Sequence, residues 1–176
     1  MTEVTIREAE LGDASAIAAI QVNASLVAYK DIFSSPSAML TVERRTPVWR
    51  QIITCARGQR RVLVAEDSME ICGYADFGPS RDRDQNVVTM GELYSIYVRP
   101  ERWKQGIGGK LLLESMYMLA HVGFSACTLW VLADNSPARR FYERYGWRPD
   151  GVEKPVDAQV MEVRYRTDEL AARGWL

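Results

Sequence analysis

The sequence predicts an α+β fold, with helices flanking a mixed sheet. Three observations predict it. Strand-like and helix-like stretches follow the order β-α-α-β-β-β-α-β-α-β-β. A β-branched and aromatic run, Leu93–Val98, leads through a glycine-rich loop into an apolar-periodic helix. A second helix is announced by Asp134-Asn135-Ser136-Pro137 and closed by Gly146.

Val4–Arg7 reads as a short strand. Asp13 suits an N-cap, and Ala14–Tyr29 has helix composition, with Ile17, Ile20, Ala24 and Val27 on the core face. Ser34-Ser35-Pro36-Ser37 breaks the chain, and a second helix is expected from about Thr46 to Arg57, ended by Gly58. Arg61–Glu66 and Ile71–Phe77 form antiparallel strands about a turn at residues 67–70. Gly78–Met90 carries Pro79, Arg81, Asp82, Arg83, Asp84 and Asn86, and its mixed charges read as a solvated loop. The organising strand follows and ends at Pro100, which has no ladder donor. A helix spans Gly108–His121, then a strand Phe124–Val131. Ser136 suits the next N-cap and Pro137 the first helical position. Trp147 onward is extended, Val160–Arg166 alternates and closes the sheet, and Asp168–Leu176 reads as a helical tail.

A chain of 176 residues predicts one domain, residues 1–176, large enough for a substantial core. A net charge of −1 and a pI of about 5.9 argue against nucleic acid as partner. No apolar run approaches the roughly 18 residues of a membrane span, and Met1–Glu10 has no signal-peptide pattern. Cys55, Cys72 and Cys127 lack metal or redox spacing, so buried thiols in a reducing, cytoplasmic setting are expected. His121 is the only histidine and sits at a helix end, which leaves no histidine-based triad and predicts no metal site.

Free backbone N–H groups at a helix N-terminus favour phosphate, and glycines let it approach. Neither common phosphate loop fits. Lys104 and Leu111 break the Gly-x-x-x-x-Gly-Lys-Ser/Thr pattern, and Leu111 occupies the third glycine of Gly-x-Gly-x-x-Gly. Residues 91–112 instead resemble the acetyl-CoA loop of the GCN5-related N-acetyltransferases (GNAT), Arg/Gln-x-x-Gly-x-Gly/Ala after a strand. The family's Arg or Gln falls on Trp103, so Lys104 or Arg102 is expected to supply the charge. Asn135–Trp147 resembles the family's Asn-x-x-Ala-x-x-Phe-Tyr-x-x-x-Gly-Phe segment, with Trp147 for the last Phe. The phosphinothricin-acetyltransferase-like branch is the nearest resemblance.

The resemblance implies a mostly antiparallel sheet splayed into a V around acetyl-CoA. It implies that the backbone of Ile96, Tyr97 and Val98 pairs with the pantetheine arm. Lys104, Gln105, Gly106, Ile107, Gly108 and Gly109 would hold the pyrophosphate, and Asn135 and Tyr142 would also meet the cofactor. Tyr142 would protonate the leaving thiolate, with Phe141 and Tyr145 turned to the core. Tyr29 and Phe33, with Tyr94, would shape the acceptor side. Direct attack of an amine on a thioester needs a proton acceptor, and Glu92, at the start of the strand, is the candidate base facing the groove. The expected activity is acetyl transfer to a small amine. The rivals are a protein N-terminal or lysine acetyltransferase and a non-catalytic acyl-CoA-binding domain. Homodimers are common in the family, and the sequence marks no interface for one.

Overall fold

Alternation along the strands decides which helix covers which face of the sheet. The computed structural model describes residues 3–33, 40–56 and 59–170. In order they form β1 (Thr5–Glu8), α1 (Ala14–Ala28), α2 (Val42–Cys55), β2 (Arg61–Glu66), β3 (Ile71–Pro79), β4 (Met90–Val98), α3 (Ile107–His121), β5 (Ala126–Leu132), α4 (Ser136–Arg144), β6 (Arg148–Pro155) and β7 (Met161–Thr167). Single 3-10 turns lie at Leu11–Asp13 and Pro100–Arg102. The strands make one sheet in the order β1-β2-β3-β4-β5-β7-β6. Every neighbouring pair is antiparallel except β4–β5.

Leu63, Ala75, Phe77 and Leu93 face α3 and bury Leu111, Leu112 and Leu119. The intervening Val62, Val64 and Tyr74 face the other way and bury Ile17 and Ile20 of α1 with Trp49 of α2. Trp49 meets Tyr74 edge-on at 4.8 Å, an arrangement that favours aromatic pairs beyond simple burial. By length and composition alone, Leu11–Ala28 could cross a membrane. Its Ala14, Ile17, Ala18 and Ile20 are instead packed under the sheet, as a core helix would be.

Several local expectations change. α2 begins at Val42, because the Thr41 hydroxyl accepts from the Arg44 N–H at 3.4 Å. Pro47 therefore lies inside the helix rather than at its start. The Asp13 carboxylate pairs with Arg7 at 2.7 Å and accepts from the Glu10 N–H, and does not cap α1. Val27 is 44% exposed, while Ala24 and Ser25 continue the buried stripe. Asn135, not Ser136, caps α4: its side chain accepts from the Ala138 N–H, so Pro137 is the second helical residue. Cys72 and Cys127 are buried but Cys55 is exposed. The break at Ser34–Ser37, the helix end at Arg57 and Gly58, and residues 171–176 of the expected tail lie outside the described residues.

The loop between β3 and β4 is not simply solvated. Arg164 of β7, 4% exposed at its side chain, pairs with Asp82 at 3.1 Å, Asp84 at 2.8 Å and Asp150 at 2.7 Å. Asp82 also accepts the Trp130 indole N–H. One buried guanidinium thus fastens this loop across β5, β6 and β7. Arg164→Met leaves these carboxylates without their cation and should destabilise the protein by about 3 kcal/mol in chemical denaturation. The same guanidinium holds Asp84 down to about 2. A depressed carboxylate contributes stability above its ordinary range, lost as pH falls through the folded value. Wild type should lose this increment between about pH 4 and pH 2, and the variant should not.

Candidate active site

β4 and β5 pair only from Met90↔Ala126 to Leu93↔Leu129. Beyond that point β4 stays on β3 as far as Val98↔Gly73, and β5 stays on β7 as far as Leu132↔Glu162. The facing edges of Tyr94–Val98 and Trp130–Leu132 therefore separate. Backbone polar groups on such edges demand a partner. A cleft of about 1270 Å³ opens between them, bounded by the N-terminus of α3 and by α4.

The loop feeding α3 is shaped for an anion. Lys104 has φ +61° and Gly106 φ +82°, after which the helix begins at Ile107. The first N–H groups of α3 have no intrahelical acceptor. Side chains around them sort into two kinds. The Arg102 guanidinium pairs with Asp67 at 2.6 Å and donates to Gln105 Oε1, so its charge is already balanced. Gln105 donates to the Glu101 carbonyl and does not line the cleft. Lys104 lines the cleft and has no ion pair among the described residues, so of the two expected cations it is the one with unbalanced charge. Trp103 donates its indole N–H to the Val98 carbonyl at 2.7 Å, which ties the loop to the open end of β4. Ile96, Tyr97, Gly106, Ile107, Gly108 and Gly109 also line the cleft.

α4 forms the facing wall. Asn135 lines it with its oxygen on the helix cap, which leaves the amide nitrogen for a ligand. Tyr142 lines it too and is 9% exposed. Burial raises the Tyr142 hydroxyl above the usual tyrosine range, and Tyr97 adds to the effect. The expected division between Phe141 and Tyr142 does not hold. Tyr142 packs against the buried Trp147, whereas Phe141 and Tyr145 close onto Gly108 and Gly109 of α3. All three rings line the cleft.

Glu92 does not face the groove as expected. It is 1% exposed and lies within the paired part of β4, opposite Thr128. Its carboxylate accepts from the Arg81 N–H at 2.8 Å and is clasped by the Arg81 guanidinium at 2.5 Å. Pleat and bulge leave Glu92 behind the fork. Tyr94 does line the cleft, with Arg81 and Arg60 over its ring at 4.2 and 5.0 Å. Burial, with Glu92 nearby, pushes the Tyr94 hydroxyl up to about 12. Tyr29 reaches the cleft and shares a 2.8 Å hydroxyl–hydroxyl bond with Tyr97. Phe33 stands edge-on behind Tyr29 and does not reach it.

Trp130, Glu162 and Arg140 also line the cleft, and sequence reasoning missed them. Trp130 and Glu162 lie on different strands, brought together only by the β5–β7 pairing. Arg140 sits beside the matched aromatics of α4, and its position in that segment was the available signal. Among the described residues no cluster of three or more His, Cys, Asp or Glu side chains is disposed to hold a metal.

A family profile described as "Acetyltransferase (GNAT) family" matches residues 27–147. The N-acetyltransferase YuaI of Bacillus subtilis, itself described as uncharacterized, is 34% identical over 174 residues, 98% of this chain and 92% of its own. The PaiA N-acetyltransferase of Thermoplasma acidophilum, solved in complex with coenzyme A, shares the fold with a TM-score of 0.77 at 19% identity, over 92% of this chain and 98% of that one. A ribosomal-protein-alanine N-acetyltransferase from Brucella melitensis shares it with a TM-score of 0.72 at 21% identity, over 93% of this chain and 99% of that one.

The two adjacent glycines of α3 should respond differently to a methyl group. A Cβ at Gly109 would collide with the Tyr145 hydroxyl, whereas one at Gly108 meets only the Phe141 ring at 3.6 Å. Gly109→Ala should cost about 2 kcal/mol in thermal or chemical denaturation, and Tyr145→Leu in the same chain should recover most of it. Gly108→Ala should stay within about 0.5 kcal/mol of wild type.

Proposed function

The chain is an N-acetyltransferase of the GNAT family, and we propose from that premise that it moves the acetyl group of acetyl-CoA to a primary amine of a small molecule by direct attack on the thioester. One observation carries the reading: the parallel strand pair β4–β5, the only one among the described residues, parts at Leu93↔Leu129 beside a helix N-terminus. An extended amide-bearing arm fits the open edge of Ile96, Tyr97 and Val98 as an added strand would. A pyrophosphate fits the N–H groups of the loop Lys104–Gly109, with Gln105 contributing through its backbone and Lys104 as the cation. Asn135 offers its amide nitrogen to the same ligand.

The acceptor enters from the α1 side, between Tyr29, Tyr94 and Trp130. Arg164 fastens the β3–β4 loop at the margin of that side, where Asp82 accepts the indole N–H of Trp130. This favours a small amine, as in the phosphinothricin-acetyltransferase-like branch, over a polypeptide. The amine must lose a proton. Glu92, behind the fork and clasped by Arg81, takes it through water rather than by contact. Tyr142 faces the departing sulfur. Its hydroxyl is held neutral by burial, so it hydrogen-bonds the thiolate and releases its own proton as another arrives. No covalent enzyme intermediate is needed.

Thiol release from acetyl-CoA, measured against a panel of small amines and against peptides with free N-termini or lysines, tests the reading. Turnover with peptides alone, or no turnover with any amine, would refute it. Tyr142→Phe keeps the ring and should lower kcat on the order of a hundredfold while leaving acetyl-CoA affinity intact. Because the Tyr142 hydroxyl sits above its usual 10, wild-type kcat should show no fall from its ionisation up to about pH 10. For the cofactor loop, Lys104→Ala should weaken CoA binding about fivefold and flatten its salt dependence, whereas Arg102→Ala should leave the salt slope unchanged. Gly108→Asp should fold normally, its Cβ being tolerated, yet weaken CoA by more than about tenfold in calorimetry.

A further inference from the structure

A primary ammonium group already sits against two side chains of the cleft wall opposite β4. Lys154 of β6 places its Nζ 3.8 Å from the centroid of the Trp130 ring. The same Nζ lies 3.5 Å from the Glu162 carboxylate. Lys154↔Glu162 and Glu162↔Leu132 are register partners across β6, β7 and β5, so these groups share one face of the sheet. Trp130 and Glu162 both line the cleft. The Trp130 ring is held in place, since its indole N–H donates to Asp82 at 3.1 and 3.2 Å.

An aromatic face with a carboxylate beside it is a receptor for a cation. Charge in the neighbourhood points the same way. Arg164 is surrounded by Asp82, Asp84 and Asp150. With Glu162 added, four carboxylates face two cations, Arg164 and Lys154. Around Trp130 the carboxylates therefore outnumber the cations even with Lys154 in place, while Arg140, Arg144 and Arg148 also line the cleft. Lys154 is a weak occupant: its side chain is 45% exposed, on an edge strand exposed along its whole length. Exposed ion pairs of this kind contribute little and exchange readily.

We propose that Trp130 and Glu162 form a subsite for a second ammonium group of the acceptor, and that Lys154 fills this subsite in the free enzyme and is displaced on binding. The acceptor class is then a diamine, one amine presented to the thioester and the other held as a cation. This rests on the small-amine reading above and names the acceptor class within it.

Calorimetry with cadaverine and with pentylamine, which has the same carbon chain and a single amine, tests the subsite. Titrations are made into CoA-saturated wild type, Glu162→Gln and Lys154→Met. In wild type cadaverine should bind about tenfold more tightly than pentylamine. Glu162→Gln should erase that preference. Lys154→Met removes the internal competitor and should enlarge it, a sign that a merely structural lysine would not produce. Equal affinities in wild type, no cadaverine binding, or a preference unchanged by Lys154→Met would overturn the subsite. Failure of CoA to bind would instead overturn the acetyl-transfer reading, and the amine titrations would then be read on the free protein.

Discussion

The site depends on where two parallel strands stop pairing. Parallel strands need a crossover connection, here supplied by α3, and their ladder bonds are evenly spaced wherever they pair. Here β4 and β5 pair over four residues and then diverge, each retained by its other neighbour. The divergence leaves two rows of backbone donors and acceptors inside the protein, where water would otherwise have to satisfy them. A ligand carrying its own amides can satisfy them with the geometry of a sheet. The irregular register of β3 at Asp76 and Phe77 helps to re-aim β4 at this point. Aromatic rings from α1, α4 and β4 stand around the opening rather than filling it. The position of the fork also fixes the position of α3, because the loop that leaves Val98 must turn within a few residues to start the helix. Lys104 and Gly106 take up that turn with positive φ.

Charge pairing then decides which groups remain available. Behind the fork, Glu92 is balanced by Arg81, and Asp76 by Arg60 at 2.7 Å. Burial raises Asp76 while Arg60 opposes the rise. Beside the phosphate loop, Asp67 cancels Arg102 and is itself held at about 2 by that guanidinium and two backbone N–H groups. These pairs brace the two arms of the V and leave little net field in its rear. What remains along the cleft is Lys104 at the phosphate loop, Arg140 and Arg144 on α4, Arg148 on β6, and Glu162 on β7 with Lys154 as its partner.

The local grammar of the chain was legible. Gly106–Gly109 before an apolar helix announced the anion site, and the Asn135–Trp147 segment announced α4 and Tyr142. Each of those signals is contained within about a dozen consecutive residues, where strand and helix periodicity can be read directly. What was not legible is pairing across distance. Glu92 looked like a groove-facing base because nothing local reveals that Arg81 folds back onto it. Asp82 and Asp84 looked like solvated loop residues because their partner, Arg164, lies about eighty residues further on. Trp130 and Glu162 become neighbours only through the β5–β7 register. Helix starts failed for a different reason. Thr41 and Asn135 cap helices expected to start near Thr46 and after Ser136, because in each case it is the earlier side-chain oxygen that reaches a free N–H.

The tyrosines around the fork constrain how protons can move. Tyr29, Tyr97 and Tyr142 all line the cleft, and the Tyr29 and Tyr97 hydroxyls are hydrogen-bonded to each other at 2.8 Å. Burial raises Tyr29 and Tyr142 alike. A hydroxyl so raised is a weaker acid than a free phenol, so its outright ionisation in favour of a thiolate runs uphill. It remains a good hydrogen-bond donor, and stabilising the thiolate in place needs nothing more. On the proposed reading, the proton that finally neutralises the sulfur would come from the ammonium that forms as the amine attacks. In the reaction proposed, that ammonium would form on the acceptor side, from which Glu92 would be reached through water. Tyr142 lines the opposite wall. On that proposal the chemistry would be divided across the fork, with deprotonation on one side and stabilisation of the sulfur on the other. The separation of β4 from β5 would let both walls address one thioester.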